Sequence, residues 1–225
     1  MSTVGNYRRP NIVNDGLTLY LDAGTSNSYN RYFSANTWKD ISGNGRTGTF
    51  VNGPTYDSGN GGSIVFDGLD DYIALSPLVA VTSFTVEIWF NSAGAGLTGN
   101  TGYNTLIGGN NANRLLYNVV SKTFLAQMGG GNHFSTGTTQ LNTWCCVHYT
   151  YNSSNTTAQW FINTIADTTF VGAIGLNTSQ TLGVGTLASG YYFNGKMSRV
   201  LIYNKALSST EILQNYNASR ARFGL

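Results

Sequence analysis

The chain is short of charge. Lys and Arg number 12 and Asp and Glu 10 among 225 residues, a charged fraction of 10% and a net charge of +2. Globular domains usually carry about 25% charged residues. Nucleic-acid binding by phosphate neutralisation needs clustered Lys and Arg, and the basic residues here are scattered, which excludes that class of partner. No apolar run approaches the roughly 20 residues of a membrane helix. The opening MSTVGNYRRPNIVNDG is polar and lacks the apolar stretch of a secretory signal, so synthesis in a cytoplasm without export by that route is expected. The only cysteines, Cys145 and Cys146, are adjacent. Neighbouring strand side chains point to opposite faces, so a bond between them would distort the backbone, and two adjacent cysteines cannot hold zinc alone. One buried and one outward thiol in a reducing compartment are expected. No GxxxxGK[ST] phosphate loop and no GxSxG nucleophile elbow occurs. Glutamate is nearly absent, with only Glu87 and Glu211.

Glycine (28 residues), Asn, Ser and Thr fill the polar remainder, and hydrophobics reach 41% with 13% aromatics, enough for a sizeable core. Ser42-Gly43-Asn44-Gly45 and Asp57-Ser58-Gly59-Asn60-Gly61-Gly62 are clusters that tolerate positive φ and mark tight turns. Between such turns the strand period recurs. Leu17, Leu19 and Leu21 alternate with polar neighbours, Phe84, Val86, Ile88 and Phe90 share a face, and Cys145, Val147, Tyr149 and Tyr151 share another, opposite Cys146, His148 and Thr150. The run Gly195 to Tyr203 is apolar on both parities, which predicts a central strand or one with a bulge. Many short strands separated by turns predict an all-β sandwich, and the length suits one domain over residues 16–225. One helix is signalled. Ser208 and Glu211 form a capping box, Ile212, Leu213 and Tyr216 supply an apolar stripe to about Tyr216, and Arg220 and Arg222 suit its C-terminal end. Residues 1–15 read as an N-terminal arm, in which Arg8, Arg9 and Pro10 are candidates for assembly contacts.

The segments GLTLYLDAG, WKDISGNG, NGPTYDSGNGGSIVFDGLDDYI, FTVEIWF and FNGKMSRVLIYNKALSSTEILQNYNASRARFGL, in this order, resemble the laminin-G-like branch of the concanavalin A-like lectin and glucanase jelly rolls. The opening RRPNIVNDGL and the ending NYNASRARFGL resemble versions found in structural proteins of tailed phages, notably marine ones. The resemblance implies two antiparallel sheets in a jelly-roll sandwich with one short C-terminal helix, and a binding or structural role. Where many relatives carry an acidic residue on the late strand this chain has Ser198, which weakens any metal site carried over to that position.

The glucanase pattern ExDxE, which supplies a nucleophile and an acid, is absent. Glu211 belongs to the capping box, and Glu87 stands without a second carboxylate on its strand, with Thr85 and Trp89 as same-face neighbours. His148 alternates with Cys146, a pairing expected to be structural, and His133 lies in a glycine-rich loop where ligand contact is open. Asp67, Asp70 and Asp71 crowd one corner and are candidate ligands for a structural calcium, with an Asx-turn as the alternative. Saccharide recognition would use loop aromatics. Tyr103, Tyr117, His133, Phe134, Tyr191 and Tyr192 are the candidates carried forward, with Tyr29, Tyr32 and Trp38 also considered and Trp38 expected to be structural. No catalytic residue is assigned. The leading expectation is a non-enzymatic virion structural protein: a capsid decoration, horn or tail-fibre component on the virion surface. It would be homo-oligomeric, with other virion proteins and copies of itself as partners and no nucleic acid or membrane insertion. A carbohydrate-binding module for host or cell-surface glycans is the alternative, and a divergent glycoside hydrolase using Glu87 a remote one.

Overall fold

The period-two runs of the sequence become two antiparallel sheets. The computed structural model describes residues 11–30, 32, 36–97, 102–110, 113–176, 179–183 and 191–225. In chain order the strands are β1 Leu17–Asp22, β2 Thr37–Trp38, β3 Gly48–Val51, β4 Thr55–Asp57, β5 Ser63–Asp67, β6 Tyr72–Leu75, β7 Phe84–Gly94 and β8 Tyr103–Asn110. They continue with β9 Asn113–Asn118, β10 Phe124–Met128, β11 Gly131–Phe134, β12 Cys145–Asn152, β13 Thr157–Ile162, β14 Ile165–Val171, β15 Thr181–Leu182 and β16 Asn194–Tyr203. The first sheet runs β14-β13-β12-β7-β16-β5-β4, with β1 paired along the second half of β16. The second runs β11-β10-β9-β8-β15-β6-β3-β2. The expected all-β jelly-roll sandwich is what forms.

Between the sheets lies an aromatic core. Trp38, Phe66, Phe84, Phe90, Tyr117, Phe124, Trp160 and Phe193 are fully enclosed, and Phe90 meets Phe124 edge-on at 5.9 Å. Each such ring pair adds about 0.5–1.5 kcal/mol beyond area burial.

β16 is the central strand that its two-sided apolar pattern predicts, and it is bulged twice. At the first bulge Gly195 has φ +143, and a Cβ there would lie 2.2 Å from the Asn91 carbonyl oxygen, so only glycine fits. The second bulge, between Met197 and Arg199, resets the alternation. Met197, Val200 and Ile202 face the core, while Arg199, Leu201 and Tyr203 turn to the outer face. A slip in β1 between Leu17 and Leu19 has a similar effect, so Leu19 and Leu21 are core but Leu17 packs with Tyr20 on the outside, contrary to the simple alternation.

That outer face of the first sheet is covered. Helix α1, Ser209–Ser219, lies over it, capped by Ser208, whose Oγ accepts from the Glu211 amide at 3.3 Å while Glu211 Oε2 accepts from the Ser208 amide at 2.9 Å. The helix runs past Tyr216 and passes into a 3-10 turn, Arg220–Phe223. Its buried positions are Ile212, Asn215 and Ser219, while Leu213 is 47% exposed, so the expected apolar stripe is only partly the inward one. Phe223 stacks on Trp89 at 4.3 Å. Cys146 is buried beneath these rings, so both thiols are enclosed rather than one facing outward. Residues preceding β1 also dock here: the Val13 amide donates to Asn215 Oδ1 at 2.8 Å, and Gln214 Nε2 donates to the Asn11 carbonyl at 2.8 Å. Arg8, Arg9 and Pro10 lie outside the described residues.

Candidate functional site

Polar chemistry concentrates in two places, one sealed and one partly exposed. The sealed one lies under α1. Strand register sets Glu87 of β7 opposite His148 of β12, and the β16 bulge swings Arg199 in beside them. Glu87 Oε1 accepts from Arg199 Nη2 and, at 3.1 Å, from Trp89 Nε1. Its Oε2 contacts His148 Nε2 at 3.1 Å and accepts from Asn215 Nδ2 at 2.9 Å. Arg199 also donates to Ser219 Oγ and to the Asn215 carbonyl. Burial pushes the Glu87 carboxyl up, but the Arg199 guanidinium and His148 outweigh it and hold it down to about 2. Both oxygens of this carboxylate are engaged and it has no exposed surface, which is not the placement of a glycosidase acid or nucleophile. Cys146 Sγ lies 3.9 Å from His148 Nδ1, but burial pushes the thiol well above its ordinary value, so it is not a nucleophile. The Glu87, Cys146 and His148 ligand atoms lie within 4.8 Å of one another, yet Arg199 already holds the carboxylate. The sequence expectation of a solitary Glu87 missed its cross-strand and cross-helix partners.

The other place is the outer face of the second sheet, where Thr105, Arg114, Leu116 and Leu125 are covered and Asn132 and Phe134 are exposed. There β9, β10 and β11 lie side by side in register, with Arg114 opposite Gln127 and Gln127 opposite Asn132. The three side chains form one polar row: Arg114 Nε donates to Gln127 Oε1 at 2.5 Å, and Gln127 Nε2 donates to Asn132 Oδ1 at 3.0 Å. The next outward-facing row is apolar, Leu116, Leu125 and Phe134, and continues to Thr105 of β8. Phe134 is 48% exposed at its edge. Tyr191 lies over Arg114, with the guanidinium 4.8 Å from the ring centroid, and meets Tyr103 edge-on at 6.4 Å. Burial lowers the Arg114 pKa. Three of the expected aromatic candidates, Tyr103, Phe134 and Tyr191, therefore gather around a polar row that sequence reasoning did not identify. The signal was present, since in NRLLYN and FLAQM the outward parity carries Arg114 and Gln127.

The other candidates part company with this face. Tyr117 is fully buried, its hydroxyl accepting from Thr139 Oγ1 at 3.1 Å, because its strand parity is the inward one; it is core, not a ligand contact. His133 sits on β11 but points between the sheets, stacked on Phe170 at 4.5 Å and 2.5 Å from the Tyr149 hydroxyl. Tyr192 makes no ring contact with the group among the described residues and precedes the core Phe193. Tyr29 stacks on Phe50 and Tyr56, Trp38 is core as expected, and Tyr32 is 74% exposed on a separate loop. At the acidic corner Asp67 Oδ1 accepts from the Leu69 amide at 2.8 Å, as an Asx-turn does, and Asp71 Oδ2 accepts from the Asp67 amide at 3.0 Å. Asp67 and Asp70 are exposed and Asp71 is buried, which raises its pKa. A calcium there would take protein oxygens from these three carboxylates and the rest of its usual six to eight from water.

A two-sheet jelly roll with one face sealed and the other lined by amides and rings defines a lectin-like domain. Residues 66–213 match the family described as the concanavalin A-like lectin/glucanases superfamily, and the chain belongs to it. No curated protein is similar to the chain in sequence. Among solved structures, the botulinum neurotoxin type G receptor-binding domain superimposes with a TM-score of 0.66 at 12% identity, over 90% of this chain and 51% of that one. Trypanosoma rangeli sialidase gives 0.63 at 16%, over 92% of this chain and 33% of the sialidase. Domain 4 of AbnA, an extracellular GH43 arabinanase from Geobacillus stearothermophilus, in complex with arabinotriose, gives 0.58 at 19%, over 90% and 98%. The chain thus spans about half of the neurotoxin domain and all but the whole of the arabinanase domain. At these identities the likeness is one of fold.

Proposed function

We propose that the chain is a non-enzymatic carbohydrate-binding domain that receives a saccharide on the outer face of its second sheet. The observation that carries this is the row Arg114, Gln127 and Asn132 beside the rings of Tyr103, Tyr191 and Phe134. Amide and guanidinium groups are suited to sugar hydroxyls, and rigid rings supply apolar contact at small entropy cost. The arabinotriose complex of the similar arabinanase domain and the receptor-binding role of the similar neurotoxin domain support the reading by fold analogy. The test is a glycan array with the intact chain and with Gln127→Ala and Phe134→Ala. Specific binding weakened by both variants, with unchanged melting temperature, is expected; binding indifferent to both would move the site elsewhere.

A second reading is that the domain serves on a virion surface as a decoration, horn or tail-fibre component, in contact with copies of itself. The resemblance of RRPNIVNDGL and NYNASRARFGL to phage structural proteins favours it. Mass photometry of the purified chain tests it: a stable trimer or larger ring supports assembly, and a clean monomer counts against it.

A further inference from the structure

Arg114 is a buried cation without an anion. It is 8% exposed, and none of the ion pairs among the described residues includes it. Its Nε is used by Gln127, but its Nη1 is enclosed and donates to nothing. One rung along the same face, Thr105 Oγ1 is also enclosed without a partner. The contrast within the molecule is sharp. The more deeply buried Arg199 is paired with Glu87, and the half-buried Arg222 is paired with Asp22 at 2.6 Å. Withdrawing a guanidinium from water without a counter-charge is costly, and the neutral Gln127 acceptor and the Tyr191 ring offset only part of that cost. A fold that supplies a carboxylate to Arg199 and to Arg222 but none to Arg114 has a position that an outside carboxylate can fill.

We propose that the saccharide received on this face carries a carboxylate, as sialic and hexuronic acids do, and that Arg114 is the group that binds it. The inference rests on the saccharide reading above. A guanidinium fork takes a carboxylate with two parallel hydrogen bonds, which no sugar hydroxyl can match. The Thr105 hydroxyl stands one rung away for a neighbouring oxygen. Gln127 and Asn132 hold the ring hydroxyls, and the Tyr191 ring lies over the guanidinium.

The experiment is calorimetric titration of the intact chain with two matched pairs, 3′-sialyllactose against lactose and trigalacturonate against its methyl ester. The acid member of at least one pair should bind about tenfold more tightly or better, and the pair that does so identifies which acid is meant. Arg114→Met should erase that preference while leaving the melting temperature unchanged or raised, because an unpaired buried charge has been removed. Arg114→Lys, which keeps the charge and loses the fork, should retain only part of the preference. Equal binding of acid and neutral members overturns the inference and leaves the saccharide reading standing. Binding to none of the four, together with an empty glycan array, overturns both. A clear drop in melting temperature for Arg114→Met would assign the residue to folding and also overturn the inference.

Discussion

Removing the charge of Glu87 strands the Arg199 guanidinium in a dry place. Glu87→Gln should therefore cost about 3–5 kcal/mol in urea denaturation, the usual effect of deleting one partner of a buried pair. The same carboxylate sets the acid limb of stability. Its folded value, about 2, lies below the ordinary 4.5, so its contribution is fully present above pH 4.5 and is lost as pH falls toward 2. The loss should approach about 3 kcal/mol over that window, and the Gln variant should lack it. Tyr117→Phe makes a different point. It removes the hydroxyl that Thr139 donates to and should cost about 1 kcal/mol of stability without touching saccharide affinity, as titration of the variant would check.

At the scale of elements, α1 and β16 together build the sealed face. Ser208→Ala should remove the cap and cost about 1 kcal/mol. Phe223→Ala should cost about 3 kcal/mol, because it opens the stack on Trp89 and lets water toward the Glu87 cluster; thermal denaturation checks both. Elements are also where the sequence was most legible. The capping box, the alternation in FTVEIWF and the two-sided apolar run of β16 each reflect a local rule, and each element formed where that rule put it. What local rules could not carry was the phase of an alternation after a bulge. Parity counted through Ser198 sends Arg199 to the wrong face, and Leu17 is misplaced by the slip in β1 for the same reason. The sites failed for a related cause. A polar row exists only when three strands stand in register, so Arg114, Gln127 and Asn132, drawn from separate strands, share no sequence motif. Tyr117 and Phe134 look alike in composition and differ only in parity.

For the whole molecule, the sealed face and the face that carries the polar row lie on opposite sides of the sandwich. Asn11 is held to Gln214 of α1, and the 3-10 turn that precedes Leu225 is stacked on Trp89, so the described chain enters and leaves on the helix side. Immobilising the protein through a tag after Leu225 should leave saccharide binding intact, whereas coupling through a cysteine placed at the exposed Asn132 should block it; biosensor measurements with the two orientations decide. The geometry also gives copies a common heading. Domains rooted through Leu225, side by side on any support, all turn the same sheet away from it. A sugar contact too weak to hold one copy then becomes a many-point grip, its strength set by spacing rather than by any single pocket.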